Sequence, residues 1–185
     1  MAGRSPGPCD GATWNPDSRG WLGGARERLV DPGVVLVVSI RSDGTPRLSP
    51  VEPFLLHGGL WLSMMWGSLK ARDLLRDPRV LVHGIVTERD GRAGEVKLRG
   101  TVRVERDADV QQAYADAVAA ALGWRPEVGR FHLFEVDVGQ VSSVRYASSG
   151  DQHVTVWPPG REFVRRLTSD TSVGEPEEVV DLLGS

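Results

Sequence analysis

The densest run of chemically useful residues is Gly67-Ser68-Leu69-Lys70-Ala71-Arg72-Asp73-Leu74-Leu75-Arg76-Asp77-Pro78-Arg79. The pattern predicts a short helix over 68–76, with Ser68 as N-cap and Asp77-Pro78 as its stop. Lys70 and Arg72 then fall in the first turn, where the positive end of the helix dipole opposes cations by roughly 0.3–1 kcal/mol each. A bound anion reverses that sign. Free backbone N–H groups, a serine hydroxyl and two basic side chains would converge on one phosphate. The alternative is a solvated surface helix whose charges Asp73 and Asp77 neutralise. Both readings stand on the residues alone. Twenty of the 22 basic residues are arginine, and Lys70 and Lys97 are the two lysines. A GC-rich coding preference accounts for that bias, against which each retained lysine stands out slightly.

Other constellations are bland. The four histidines, His57, His83, His132 and His153, lie too far apart for a local metal pair. Glu135 and Asp137 alternate with apolar residues, as an exposed strand face does. Ser142 and Ser143 lack the context of a nucleophile elbow, and no Walker-type glycine loop is present. The single cysteine, Cys9, can form neither an intrachain disulfide nor a cysteine zinc cluster. A reducing cytoplasm is the expected setting. No apolar run reaches about 18 residues, so no transmembrane helix is expected. Residues 1–20 hold four Gly and three Pro and no signal-peptide core. The net charge of −3 argues against a general nucleic-acid binder.

At 185 residues, 40% apolar and 25% charged, the chain reads as one globular domain with a real core. Residues 1–18 read as a disordered arm, 19–160 as the folded domain and 161–185 as a C-terminal extension, with a helix expected near Pro176–Leu183. A short helix is expected over Arg19–Val30. Val34–Ile40 is a buried strand, and Pro46–Leu56 is an extended segment made irregular by Pro50 and Pro53. Leu60–Met65 is a strand, and the three pieces predict an antiparallel meander. Arg79–Thr87 and Glu95–Glu105 follow as strands around an Asp90-Gly91 turn. Asp107–Leu122 is the clearest helix, with an apolar face at Val110, Tyr114, Ala117, Val118 and Ala121, and Gly123 at C′. Phe131–Val138, Val141–Tyr146 and His153–Trp157 complete the strands. About seven strands joined by short turns imply a mainly β protein with helices, an α+β fold built on an antiparallel barrel.

The order of these pieces carries a resemblance. A strand leads into Ser42-Asp43-Gly44-Thr45-Pro46-Arg47, then Ser49-Pro50-Val51-Glu52-Pro53 and Leu60-Trp61-Leu62-Ser63. The helix Ser68-Leu69-Lys70-Ala71-Arg72-Asp73-Leu74 and Asp77-Pro78-Arg79-Val80 follow. Over about residues 20–157 the chain resembles the pyridoxamine 5′-phosphate oxidase-like FMN-binding split barrels, in particular the branch that includes deazaflavin F420-dependent actinobacterial reductases. The resemblance implies a homodimeric split β-barrel that binds FMN, or F420 in its place, and exchanges hydride with a small organic substrate. It implies that Ser68, Lys70 and Arg72 hold the cofactor phosphate. It also implies that Ser49, Pro50 and Val51, with Ser63, Met64 and Met65, lie beside the ring and ribityl chain, and that the partner subunit closes the site. A flavin-binding carrier or sensor without turnover is the alternative, and a dimer with a vestigial anion site is a third. Arg130-Phe131-His132 has the Arg-x-His spacing of the vitamin-forming oxidases, but it opens an ordinary strand too early in the chain. The resemblance therefore does not extend to pyridoxamine phosphate oxidation. Asp73 stands where relatives often carry Asn, and a carboxylate there needs an arginine such as Arg72 or Arg76.

Overall fold

The computed structural model describes residues 25–91, 93–158 and 160–179. The expected N-terminal arm and residues 19–24 of the expected first helix lie outside them, as do residues 180–185. Within them, α1 is a short helix, Ala25–Leu29.

Strand β1 (Val35–Ile40) alternates buried and half-buried positions, as a β-branched run facing a core on one side must. It pairs antiparallel with β2 (Pro46–Val51) on one edge and β5 (Arg79–Gly84) on the other. β5 pairs β6 (Glu95–Glu105), and β6 pairs the 16-residue β7 (Phe131–Tyr146). The second edge of β7 is shared. Its first half pairs β4 (Gly59–Met65), which hairpins back onto β3 (Pro53–Leu56). Its second half pairs β8 (Gln152–Trp157). One bent strand thus belongs to two sheet surfaces, and no ladder joins β2 to β4 among the described residues. The result is the antiparallel split barrel of an α+β protein, open between β2 and β4.

Several expectations change. The segment 46–56 is two strands that break at Glu52, so the meander becomes two hairpins on opposite sides of the split. Pro53 explains the break, because it cannot donate to a continuous ladder. The sheet also runs past residue 160: β9 (Arg161–Arg165) pairs β8, and β12 (Glu177–Glu178) pairs β9. Glu177 and Glu178 are therefore strand residues rather than helical ones. A small hairpin, β10 (Leu167–Ser169) with β11 (Ser172–Val173), is tied back by the Leu167 N–H donating to Asp151 Oδ1 at 2.8 Å.

Helix α3 (Ala108–Leu122) starts where Asp107 accepts the Asp109 and Val110 N–H groups, and ends at Gly123 with φ 75°. Its buried face is Gln111, Tyr114, Ala115 and Val118, rotated from the expected stripe: Ala121 and Leu122 are exposed. Gln111 accounts for the rotation. Its Nε2 donates to the Glu105 carbonyl at 3.1 Å, and its Oε1 accepts the Gly129 N–H at 3.1 Å. A buried amide that is satisfied at both ends turns inward at little cost. Tyr114 and Val118 pack with Trp61, Phe131 and Leu133 in a cluster separate from the barrel core around Leu60, Leu62, Leu98 and Phe134.

Candidate functional site

The cleft at the split of the barrel has a volume of about 600 Å³, within the range of small-molecule sites. One wall is the end of β2, with Pro50, Val51 and Glu52. The other is the end of β4, with Ser63, Met64, Met65 and Trp66, and Lys70 of α2 (Leu69–Arg76) projects between them. Six of the nine residues expected at the cofactor line this cleft: Pro50, Val51, Ser63, Met64, Met65 and Lys70. Strand alternation divides them. The side chains of Val51 and Met64 join the barrel core, whereas Met65 is exposed and Ser63 half-buried.

Ser49, Ser68 and Arg72 do not line the cleft. Ser49 pairs with the buried Val37, on the core side of β2. Ser68 occupies the N-cap position with extended backbone, yet its side chain makes no capping bond. Its Oγ is the buried side-chain polar atom left without a partner among the described residues. No acidic residue sits in the first turn of α2. Arg72 is exposed, and among the described residues its guanidinium has no hydrogen bond or ion pair.

Lys70 Nζ donates to the Pro50 carbonyl at 2.9 Å, so the solvent-accessible ammonium bridges α2 to the β2 wall. The first N–H groups of a helix have no partners within it. The end of α2 thus offers unsatisfied donors, an orphaned hydroxyl and two cations, with no acidic residue in its first turn, while Glu52 and Glu127 line the cleft beyond it. Donors of that kind are what a phosphate dianion takes.

The one carboxylate within α2 faces the core. Asp73 is buried on the core side of α2 and accepts from Arg47 Nε at 2.6 Å, Arg76 Nη2 at 3.3 Å and Ser39 Oγ at 3.3 Å. Burial pulls its pKa upward, but the bonds from Arg47 and Arg76 outweigh it and hold the carboxyl below its ordinary range. The partners are Arg47 and Arg76, not Arg72, which leaves Arg72 free for an external anion. The charges of Asp73 and Asp77 are both spent elsewhere, since Asp77 binds Arg79. The solvated-helix alternative, in which these aspartates neutralise Lys70 and Arg72, is not what the geometry shows.

The far end of the cleft is not expected from the sequence. Trp124, Pro126, Glu127 and Arg130 come from the loop between α3 and β7, and Phe131 from the first position of β7. Arg130 and Phe131 fall in the Arg-x-His spacing set aside above as an ordinary strand start, and no local motif marks the other three. They reach the cleft because Gln111 pins Gly129, and hence the loop, to α3. Arg130 and Phe131 thus serve the cleft wall, while His132, one residue on, meets the turn before α2. Its Nε2 accepts the Gly67 N–H at 3.2 Å. Glu135 and Asp137 behave as an outer strand face: Glu135 pairs with Arg103, and Asp137 is exposed. Among the described residues no group of three or more metal-ligating side chains converges, and no helix is long and apolar enough to cross a membrane.

Comparisons with known proteins agree with this architecture. The fold is similar to that of a NimC/NimA-family protein from Clostridium acetobutylicum, at 17% identity over 67% of this chain and 83% of that one, TM-score 0.54. It is similar to a heme-binding protein from Mycobacterium smegmatis, at 26% identity over 69% of this chain and 55% of that one, TM-score 0.53. An F420 reductase matches at 17% identity over 63% of this chain and 94% of that one, TM-score 0.50. No curated protein matches by sequence. The family model described as pyridoxamine 5′-phosphate oxidase matches residues 24–145, which hold both walls of the cleft, α2 and the loop that closes it. By that match over most of its length, the chain belongs to the pyridoxamine 5′-phosphate oxidase family.

Proposed function

We propose that this protein binds FMN, or the deazaflavin F420 in its place, and works as an oxidoreductase on a small organic substrate. The observation that carries the reading is the end of α2. The buried Ser68 hydroxyl at the N-cap has no partner, Arg72 in the first turn has no bond among the described residues, and Lys70 of the same turn lines the β2–β4 cleft. Ser68, Lys70 and Arg72 would hold the phosphate. The strand ends at Pro50–Val51 and Ser63–Met65 would flank the ring. Bound there, the ring supplies the hydride chemistry. The end of α2 would bind the phosphate, the two strand ends would orient the ring, and the Trp124–Arg130 loop would exclude water from it. A carrier or sensor without turnover uses the same contacts, and turnover assays with reduced cofactor separate the two.

The functional unit is proposed to be a homodimer. Of the apolar stretch Trp61, Met64, Met65 and Trp66, the first two are buried within the chain and the last two are exposed. A second apolar surface adjoins them. The cross-strand rows Pro50–Leu36–His83 and Leu48–Val38–Leu81 run over the outer face of β2, β1 and β5, and Leu48 is 61% exposed. A second copy covering this face would lie against the Pro50 wall of the cleft.

The similarity to a heme-binding protein supplies a competing ligand. A histidine is one of the side chains that can hold heme iron. Among the described residues none lines the cleft: His83 and His153 meet Glu95 and Glu162, and His132 accepts from Gly67. Titration of purified protein with FMN, F420 and hemin decides. Saturable binding of FMN or F420, abolished by Lys70→Ala with Arg72→Ala, supports the reading. Tight binding of hemin alone overturns it.

A further inference from the structure

His132 has no part in the contacts assigned so far, yet it holds the segment that presents them. The chain turns from β4 into α2 at Trp66-Gly67-Ser68, where Gly67 has φ 70° and Ser68 N–H donates to the Met65 carbonyl at 3.1 Å. From β7, His132 reaches this turn twice. Its Nε2 accepts the Gly67 N–H at 3.2 Å, and its ring stacks on Trp66 with centroids 4.5 Å apart and planes 6° from parallel. An acceptor at Nε2 fixes the neutral tautomer with its proton on Nδ1. Burial favours that neutral form and holds the imidazole pKa below its ordinary value.

The surroundings add no compensating charge. Across the ladder His132 meets Met64, along its own strand it lies near Phe134, and at the turn it meets Trp66 and Gly67. The charged group that α2 places at this turn is Arg72, whose Nη2 comes 3.8 Å from where a Cβ on Gly67 would stand. At the end of β6, the Glu105 carboxylate is engaged with the Asp107 N–H. Among the described residues no carboxylate bonds the imidazole.

We propose that His132 is a positioning residue for the cofactor phosphate. Neutral, it fixes the Trp66–Ser68 turn and so aims the Ser68 hydroxyl and the first N–H groups of α2. Protonated, it has no lone pair for Gly67, the turn is released, and phosphate affinity falls. This rests on the reading that the end of α2 takes a phosphate.

The test pairs two variants with two ligands. His132→Gln keeps an acceptor that does not titrate near neutrality, and His132→Phe keeps a stacking ring without an acceptor. At pH 7.5, His132→Gln should bind FMN within about threefold of wild type and His132→Phe about tenfold more weakly, the loss of one hydrogen bond. Between pH 7.5 and 5.5 all three lose affinity as the FMN phosphate itself protonates near 6. Wild type should lose more than His132→Gln, the extra loss following the titration of the His132 ring. Riboflavin, which lacks the phosphate, should show no dependence on residue 132. A cofactor-free measurement stands beside these: in NMR titration of the protein alone, the Gly67 amide should shift with the same midpoint as the His132 ring. Parallel pH profiles for wild type and His132→Gln, or a Gly67 amide indifferent to the His132 titration, overturn the inference while leaving flavin binding intact. Failure of wild type to bind FMN or F420 removes the reading beneath it, and the inference with it. If His132→Phe does not fold, the wild-type and His132→Gln profiles with the amide titration still decide.

Discussion

At the scale of the residue, the site turns on how two charges at one helix end are left. Lys70 has a single bond, to the Pro50 carbonyl, and it is solvent-accessible. Lys70→Ala should therefore cost little stability, below about 1 kcal/mol. It should weaken FMN or F420 by about 10- to 150-fold through loss of a charge-assisted bond of roughly 1.5–3 kcal/mol. Lys97→Ala, which removes a bond to Glu95 on β6, should leave cofactor affinity unchanged. Fluorescence titration reads both. Asp73 predicts the reverse pattern. Asp73→Ala strands Arg47, which is largely buried, and should lower unfolding free energy by about 2–4 kcal/mol in urea melts. The sign with pH follows from its depressed pKa. Its folded-state pKa lies below the unfolded value, so its contribution is complete above the unfolded pKa and is lost as pH falls through the folded one. Acid titration of stability should thus be shallower in Asp73→Ala than in wild type below about pH 4.

Among the elements, β7 matters most, because it joins the β4 wall of the cleft to the sheet whose far edge, β2, forms the other wall. Its ladder with β6 shifts register between Arg99 and Gly100, where a Cβ on Gly100 would stand 2.0 Å from the Asp137 carbonyl oxygen. No flexible side chain can yield there. Gly100→Ala should destabilise by about 3 kcal/mol or more, measured by thermal and urea unfolding. Gly129→Ala makes the contrast: it has φ 79° but no atom within 4 Å of its added Cβ, so the cost is about 1–2 kcal/mol of left-handed backbone strain. Most elements themselves are legible in the sequence. The β-branched run at 35–40, the Asp107 cap and Gly123 stop of α3, and the Ser68 start of α2 all follow from local preferences. Pro53 makes the break at Glu52 legible as well, but not the separate partners of the two halves of 46–56, nor the rotation of α3. The first depends on β1 and β4 taking one half each, and the second on a carbonyl at Glu105 and an amide at Gly129 that satisfy Gln111.

For the whole molecule, the exposed outer face of β1, β2 and β5 predicts the assembly. Leu48→Glu alters a side chain that is solvent-exposed in the single chain and should leave its stability within about 0.5 kcal/mol. If two copies meet through this face, sedimentation at micromolar concentration should give a dimer for wild type and a monomer for Leu48→Glu. A wild-type monomer would remove the dimer from the proposal.

The sequence by itself determined the strand and helix periods, the cationic first turn of α2 and the family to which that order of pieces belongs. These are local properties, written in spacings of two and of three to four residues. Tertiary structure alone decided which charges are spent and which stay available. Asp73 sits one residue from Arg72 in sequence, yet it turns to Arg47 across 26 residues, because the buried side of α2 carries Asp73 and the exposed side Arg72. The same holds for the far wall of the cleft and for His132, 65 residues from the Gly67 amide it accepts. Such pairings exist only once the ladder between β4 and β7 brings strands distant in sequence within hydrogen-bonding distance, and no local pattern encodes that distance.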